Sequence, residues 1–147
     1  MREEIKRWLN NVRLGHFNER ALVVVGGKSS GKTTFSLLAA KLVGLKPEHR
    51  IVVDAAAVRS MFFVDSVRNF PMVVIDCEPD DVNDILTILK PVISNRSVQV
   101  DRLGKSAVVV NNQMNFMILT NNYEPKQGER RVIAISPLFG MNVLAEI

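Results

Sequence analysis

The chain has 147 residues, 47% hydrophobic and 23% charged, with 19 Lys and Arg against 15 Asp and Glu for a formal net charge of +4. That length supports about one domain with a real core, and no apolar run approaches the roughly 20 residues that cross a bilayer, so no membrane partner is expected. One cysteine, Cys77, forbids an internal disulfide, and the charged start Met1-Arg2-Glu3-Glu4-Ile5-Lys6-Arg7-Trp8 is unlike a signal peptide, which together predict a cytoplasmic address.

In chain order, residues 2–14 read as an amphipathic helix, with Ile5, Trp8, Leu9 and Val12 at helical spacing. Ala21 to Val25 reads as a buried strand and Thr34 to Val43 as an apolar helix. Between them lies Gly26-Gly27-Lys28-Ser29-Ser30-Gly31-Lys32-Thr33-Thr34, which satisfies the phosphate-binding pattern G-x-x-x-x-G-K-[ST]. Glycines let backbone amides turn inward on phosphate oxygens, and the helix start adds the positive end of its dipole. Lys32 would reach the β and γ phosphates of a nucleoside triphosphate, and the Thr33 hydroxyl would hold Mg2+.

Apolar runs then recur at Ile51–Val53, Met72–Ile75, Phe116–Leu119 and Val132–Ile135, as in strands of a mainly parallel sheet covered on both faces. With the first strand this predicts a five-stranded, three-layer α/β domain spanning residues 1–147. Ala55 to Phe70 is expected to supply one helix, with Val58, Met61, Phe62 and Val67 against the sheet. A second helix carries Val82, Ile85, Leu86, Leu89 and Ile93, capped by Asp80-Asp81 and ended near Pro91. Residues 97–110 alternate apolar and polar on either side of a basic turn with Gly104, the pattern of a β-hairpin inserted between the third and fourth core strands.

Three further places carry chemistry. Met72-Val73-Val74-Ile75-Asp76 is an apolar strand ending in a carboxylate, the form of a Walker B position, where Asp76 would support Mg2+. Many motors follow that aspartate with a second acid that polarises water. Here Cys77 stands there, so either Glu78 takes the role or hydrolysis is slow. Leu119-Thr120-Asn121-Asn122 puts amide side chains at the carboxyl edge of the sheet, where they either meet the ligand or simply form a turn.

The order of these parts resembles the catalytic domain of the superfamily 3 helicases, AAA+-related replication motors of small DNA viruses and plasmids. The resemblance runs from about Leu22 to Ile135 and is carried most specifically by Val98-Gln99-Val100-Asp101-Arg102 followed by Lys105. It implies a P-loop ATPase using ATP and Mg2+, with Lys32 and Thr33 at the phosphates, Asp76 at the metal and Asn122 as the sensor asparagine. It also implies a hairpin tip in which Arg102 and Lys105 grip single-stranded DNA inside a ring of copies, expected as a hexamer. Arg130 or Arg131 would act on the site of a neighbouring copy. No segment here resembles an origin-binding domain, so the chain is expected to be either a minimal motor loaded by a separate initiator protein or a motor excised from a longer chain, with residues 1–18 standing in for the element that assembles rings. The rival readings are a P-loop kinase acting on a small acceptor, and a nucleotide-gated scaffold that barely hydrolyses ATP.

Overall fold

A computed structural model describes all of residues 1–147. Strands β1 (Ala21–Val25), β2 (Arg50–Asp54), β3 (Met72–Asp76), β6 (Asn115–Thr120) and β7 (Val132–Ile135) form one sheet in the order β2-β3-β6-β1-β7. Every neighbouring pair in it is parallel. All five therefore end on one edge, and the carboxyl end of β1 lies between those of β6 and β7. The chain leaves β1 for the far edge strand and returns to both of its flanks, which is how an open α/β sheet opens a crevice at a reversal of strand order.

Period-two alternation sorts the strand residues into two cores. Ala21, Val23, Val73, Ile75, Phe116, Ile118 and Val132 face one side, where helices α3 (Ala55–Val58), α4 (Phe63–Val67) and α5 (Val82–Ile93) cover them. Leu22, Val24, Met72, Val74, Met117, Leu119, Ile133 and Ile135 face the other, under α1 (Arg2–Arg13), α2 (Lys32–Leu42) and α6 (Pro137–Ala145). Each such aliphatic side chain gains about 1.5–3 kcal/mol on burial, which drives the three layers together. β2 is the exception: at the sheet margin, its Val52 is 51% exposed.

Helix α1 buries Ile5, Trp8, Leu9 and Val12, and the Trp8 indole donates to the Arg20 carbonyl at 2.8 Å. The apolar face of α1 is thus buried in its own domain, and only its polar face remains for another chain.

The segment expected to form one helix over residues 55–70 is two short ones. Asp54 caps the first through the Ala57 amide at 2.9 Å, and the chain turns at Ser60, whose hydroxyl accepts from the Phe62 amide. That turn rotates Met61 outward to 70% exposure and brings Phe63 into the core, in place of the Met61 and Phe62 packing that helical spacing suggested. Asp81 occupies the N-cap position of α5, but its side chain makes no capping bond there. Asp80 and Asp81 belong to a single 3-10 turn, and the Asp81 carboxylate accepts from Arg59 at 2.8 Å. Pro91 falls within the last turn of α5, two residues before its end.

Helix α6 is not anticipated by the sequence pattern, because its residues are apolar on nearly all sides. Its start is nonetheless conventional: the Ser136 hydroxyl accepts from the Phe139 amide at 3.1 Å and Pro137 occupies the first turn.

Strands β4 (Ser97–Arg102) and β5 (Lys105–Asn111) pair antiparallel as a separate two-stranded sheet between β3 and β6. The inward residues Val98 and Val100 are buried in the core shared with α4 and α5, so the base of the hairpin packs on the body. Its tip does not: Leu103 is 76% exposed and Lys105 is exposed.

Candidate functional site

The glycine loop joins β1 to α2 at the carboxyl edge. Gly31 caps α2 with φ 98°, and Ser29 also adopts a positive φ of 62°, so consecutive amides swing to one side of the loop. The amides of Gly31, Lys32, Thr33 and Thr34 donate to no carbonyl of the chain. Four donors at a helix start, with the dipole behind them, make a cradle for an anion.

Gly26 anchors the entry. Its amide donates to the Thr120 carbonyl at 3.1 Å, and a Cβ there would lie 2.4 Å from the Ser30 hydroxyl and 3.0 Å from Pro137 Cδ. Only a residue without a side chain fits between the loop and the start of α6.

Lys32 closes the loop. Its ammonium donates to the carbonyls of Gly26 (2.6 Å) and Gly27 (2.9 Å) and to Asn121 Oδ1 (3.0 Å). The last bond joins the loop to the end of β6, which lies beside β1 in register Val25↔Thr120. Asn121, rather than the expected sensor Asn122, is therefore the amide that meets the loop; the Asn122 side chain makes no hydrogen bond in the chain. Successive residues leaving a strand point in different directions, and the sequence could not say which of two adjacent asparagines turns inward.

Asp76 ends β3, level with Leu119 of β6 and Asp54 of β2. Its carboxylate is exposed and holds no ion pair, and strand β6 separates it from β1. At a strand spacing of about 4.8 Å, β1 and β3 stand about 10 Å apart, with Asn121 at the end of the strand between them. The Thr33 and Thr34 hydroxyls are exposed on the first turn of α2. No three His, Cys, Asp or Glu side chains converge to hold a metal. The residues fit Mg2+ as a hard cation that takes one or two protein oxygens and completes its shell with phosphate and water.

Cys77 is half-buried, and burial first, then the carboxylates of Asp81, Asp76 and Glu78, push its thiol up to about 11. It is a neutral thiol at physiological pH and cannot act as a base. Glu78 is exposed one residue on, with its side chain uncommitted. The hydroxyl of Thr120, the residue whose carbonyl accepts from Gly26, is buried without a hydrogen-bond partner, a feature that sequence reasoning missed.

The remaining candidates lie elsewhere. Arg102 is half-buried and donates through Nε to the Ser106 carbonyl at 2.8 Å, so part of its guanidinium holds the hairpin turn, whereas Lys105 is free. Arg130 and Arg131 precede β7 and so sit at the amino edge, opposite the glycine loop of their own chain. Arg131 is held locally, its amide on Glu129 Oε1 at 2.7 Å and its carbonyl accepting from the Ala21 amide at 2.7 Å; Arg130 is exposed and unpaired.

A family model described as a family of unknown function, DUF5906, matches residues 24–131. The chain belongs to that family. No curated protein matches it. Among solved structures it is similar to the A form apo structure of the NrS-1 C terminal region, with a TM-score of 0.67 at 20% identity over 91% of this chain and 37% of that one. The apo structure of NrS-1 C terminal region (305-718) gives 0.66 at 20% identity over 87% and 33%. The DUF5906 chain therefore spans about a third of the solved chains it matches, and at this identity the likeness is one of fold. The family match takes in the glycine loop, β3 and β6.

Proposed function

We propose that this chain is the ATPase core of a ring-forming motor that moves on single-stranded DNA, a P-loop, AAA+-like engine of the superfamily 3 helicase kind acting in replication. The observation that carries the reading is the Lys32–Asn121 bond, which ties the anion cradle to the polar end of the strand between β1 and Asp76. A loop that only bound phosphate would need no such partner. A motor needs one, because the state of the γ-phosphate must be felt outside the cradle.

ATP would supply the transferred phosphoryl group, and Mg2+ would offset its negative charge. The amides of Gly31 to Thr34 would hold the phosphates, Lys32 would exchange its loop carbonyls for phosphate oxygens, and Thr33 and Asp76 are the residues that would hold the metal. Asn121 orients water and senses the loss of phosphate. Glu78 takes the proton, since Cys77 is neutral and half-buried. Arg130 stands at the opposite edge and can serve only the site of a neighbouring copy, which supports a head-to-tail ring. Lys105 at the exposed hairpin tip contacts the phosphate backbone of the DNA.

The test is ATP hydrolysis and sedimentation measured with and without single-stranded DNA. Hydrolysis stimulated by DNA, together with an ATP-dependent oligomer, is the expected result; neither appearing refutes the reading. One observation favours a second reading, a scaffold gated by ATP: the neutral Cys77 thiol where motors carry an acid. Tight ATP binding with negligible turnover, unaffected by Glu78→Gln, distinguishes it.

A further inference from the structure

A concavity away from the glycine loop lies at the amino edge of the sheet. It encloses about 620 Å³ between α1, the connection from α1 to β1, and the root of the hairpin. A second hollow of about 360 Å³ shares Glu19 and Arg20 with it and continues beneath the segment before β7. Five arginines line the two together, Arg7, Arg20, Arg96, Arg130 and Arg131, with no lysine and with Glu4 and Glu19 as the acids.

Glu4, Glu19 and Glu129 offset part of that positive charge. Arg20 is paired with Glu4 at 2.7 Å and Arg131 lies 4.0 Å from Glu129, but Arg7 and Arg96, which the proposed motor leaves free, and Arg130, which it gives to a neighbouring copy, have no carboxylate within ion-pairing reach. Arg131 Nε is in addition buried without a hydrogen-bond partner. The half-exposed ring of Phe17 stands in the same wall.

The wall is also rigid. Asn115 accepts from the amide and side chain of Asn18 (2.7 and 2.8 Å) and donates to the His16 carbonyl at 3.1 Å, fastening the loop that carries Phe17 to the first residue of β6. Asn112 donates to the carbonyls of Val92 (2.7 Å) and Asn95 (3.0 Å), and its amide bonds the Arg96 carbonyl at 2.7 Å, which fixes Arg96 where the hairpin leaves the body.

We infer that this arginine-lined groove is a second nucleic-acid site, which holds the phosphodiester backbone of a single strand as it passes from the hairpin root across the amino edge. Guanidinium forks match phosphate oxygens two at a time, and arginine without lysine is the composition of a site that recognises phosphate geometry as well as charge. Phe17 offers a face on which one base can stack, which an acidic peptide would not use. The site needs no nucleotide and lies at the opposite edge of the sheet from Lys32. The inference rests on the proposed function only in taking single-stranded nucleic acid as the ligand.

The test uses the full chain without ATP and a fluorescein-labelled oligothymidylate of about 20 nucleotides, titrated over a range of salt. Replacing both Arg7→Ala and Arg96→Ala should weaken binding about tenfold and lower the salt slope by about 1.4, that is, about 0.7 for each single-strand phosphate that the protein no longer neutralises. Arg7→Lys with Arg96→Lys should recover the slope but not all the affinity, and Lys41→Ala, on the exposed face of α2 and outside both hollows, should change neither. Parent-like affinity and slope in the double alanine variant overturn the inference. So does polyglutamate competing as well as the oligonucleotide at equal charge, which would make the groove a surface for an acidic protein. The measurement also separates this groove from the motor: no ATP hydrolysis with groove binding intact sinks the motor alone, whereas DNA binding that depends on Lys105 and not on Arg7 and Arg96 sinks the groove alone.

Discussion

The Cys77 amide donates to the Leu119 carbonyl across 3.1 Å, so the turn after β3 is pinned to the strand that delivers Asn121 to the glycine loop. The two polar ends of the proposed site share one rigid strand, and perturbations at each should be separable from perturbations of the loop itself.

Lys32→Ala should abolish nucleotide binding, measured by titration with a fluorescent ATP analogue. Asn121→Ala should leave binding within about threefold and reduce kcat by about a hundredfold, the scale of losing one positioned polar group near developing charge. Asn122→Ala should behave like the parent protein. If the two asparagine variants exchange these outcomes, the inward role belongs to Asn122.

Glu78→Gln should lower turnover by at least about tenfold with little change in ATP affinity, as expected for removal of a general base. Unchanged turnover removes Glu78 as the base, and unchanged turnover that is also negligible favours the scaffold reading.

Cys77 gives a pH signature. Its thiol titrates at about 11 in the folded chain, above the ordinary cysteine value in the unfolded one. The folded state therefore binds the proton more tightly, and this contribution to stability is fully present below the unfolded value and is lost as pH rises through the folded one. Stability should fall between about pH 8.5 and 11 more steeply in the parent than in Cys77→Ser, followed by urea unfolding. Alkylation by iodoacetamide at pH 8 should be slow for the same reason. Fast modification of the folded protein at that pH would contradict the assignment.

Gly140→Ala tests the packing between α6 and α2. A Cβ at that position would lie 2.5 Å from Phe35 Cε1 and 3.1 Å from Ile135 Cδ1, both within the core. The substitution should destabilise by about 1–3 kcal/mol, the usual cost of overpacking, read as a lowered Tm. A parent-like Tm would show that Phe35 yields freely.

The loop and the core strands were legible in the sequence because each rests on a local signal: a spaced glycine motif for the loop, and consecutive apolar residues for β1, β3, β6 and β7. What escaped depends on partners remote in sequence. Phe63 replaced Met61 and Phe62 in the core because the Ser60 turn breaks the helix, and Asp81 left its cap for Arg59, 22 residues away. Helix α6 was hidden by being apolar all round, which removes the periodicity that marks a surface helix. The choice between Asn121 and Asn122, and the gathering of arginines from α1, the hairpin root and the segment before β7, depend on strand order, which no window of sequence contains.

The hairpin has one more consequence. It is a sheet of two strands with no third, and the outer strand carries Ala107-Val108-Val109-Val110, of which Val109 is 72% exposed. Unpaired amides and carbonyls along such a strand are a template on which another chain can add itself. The irregular register between Val100 and Arg102, with Asp101 and Lys105 beside it, blunts the tip but leaves the strand edge nearer the root, with exposed Ala107 and Val109, unguarded. In concentrated preparations self-association should begin there, from the native state and without any loss of fold.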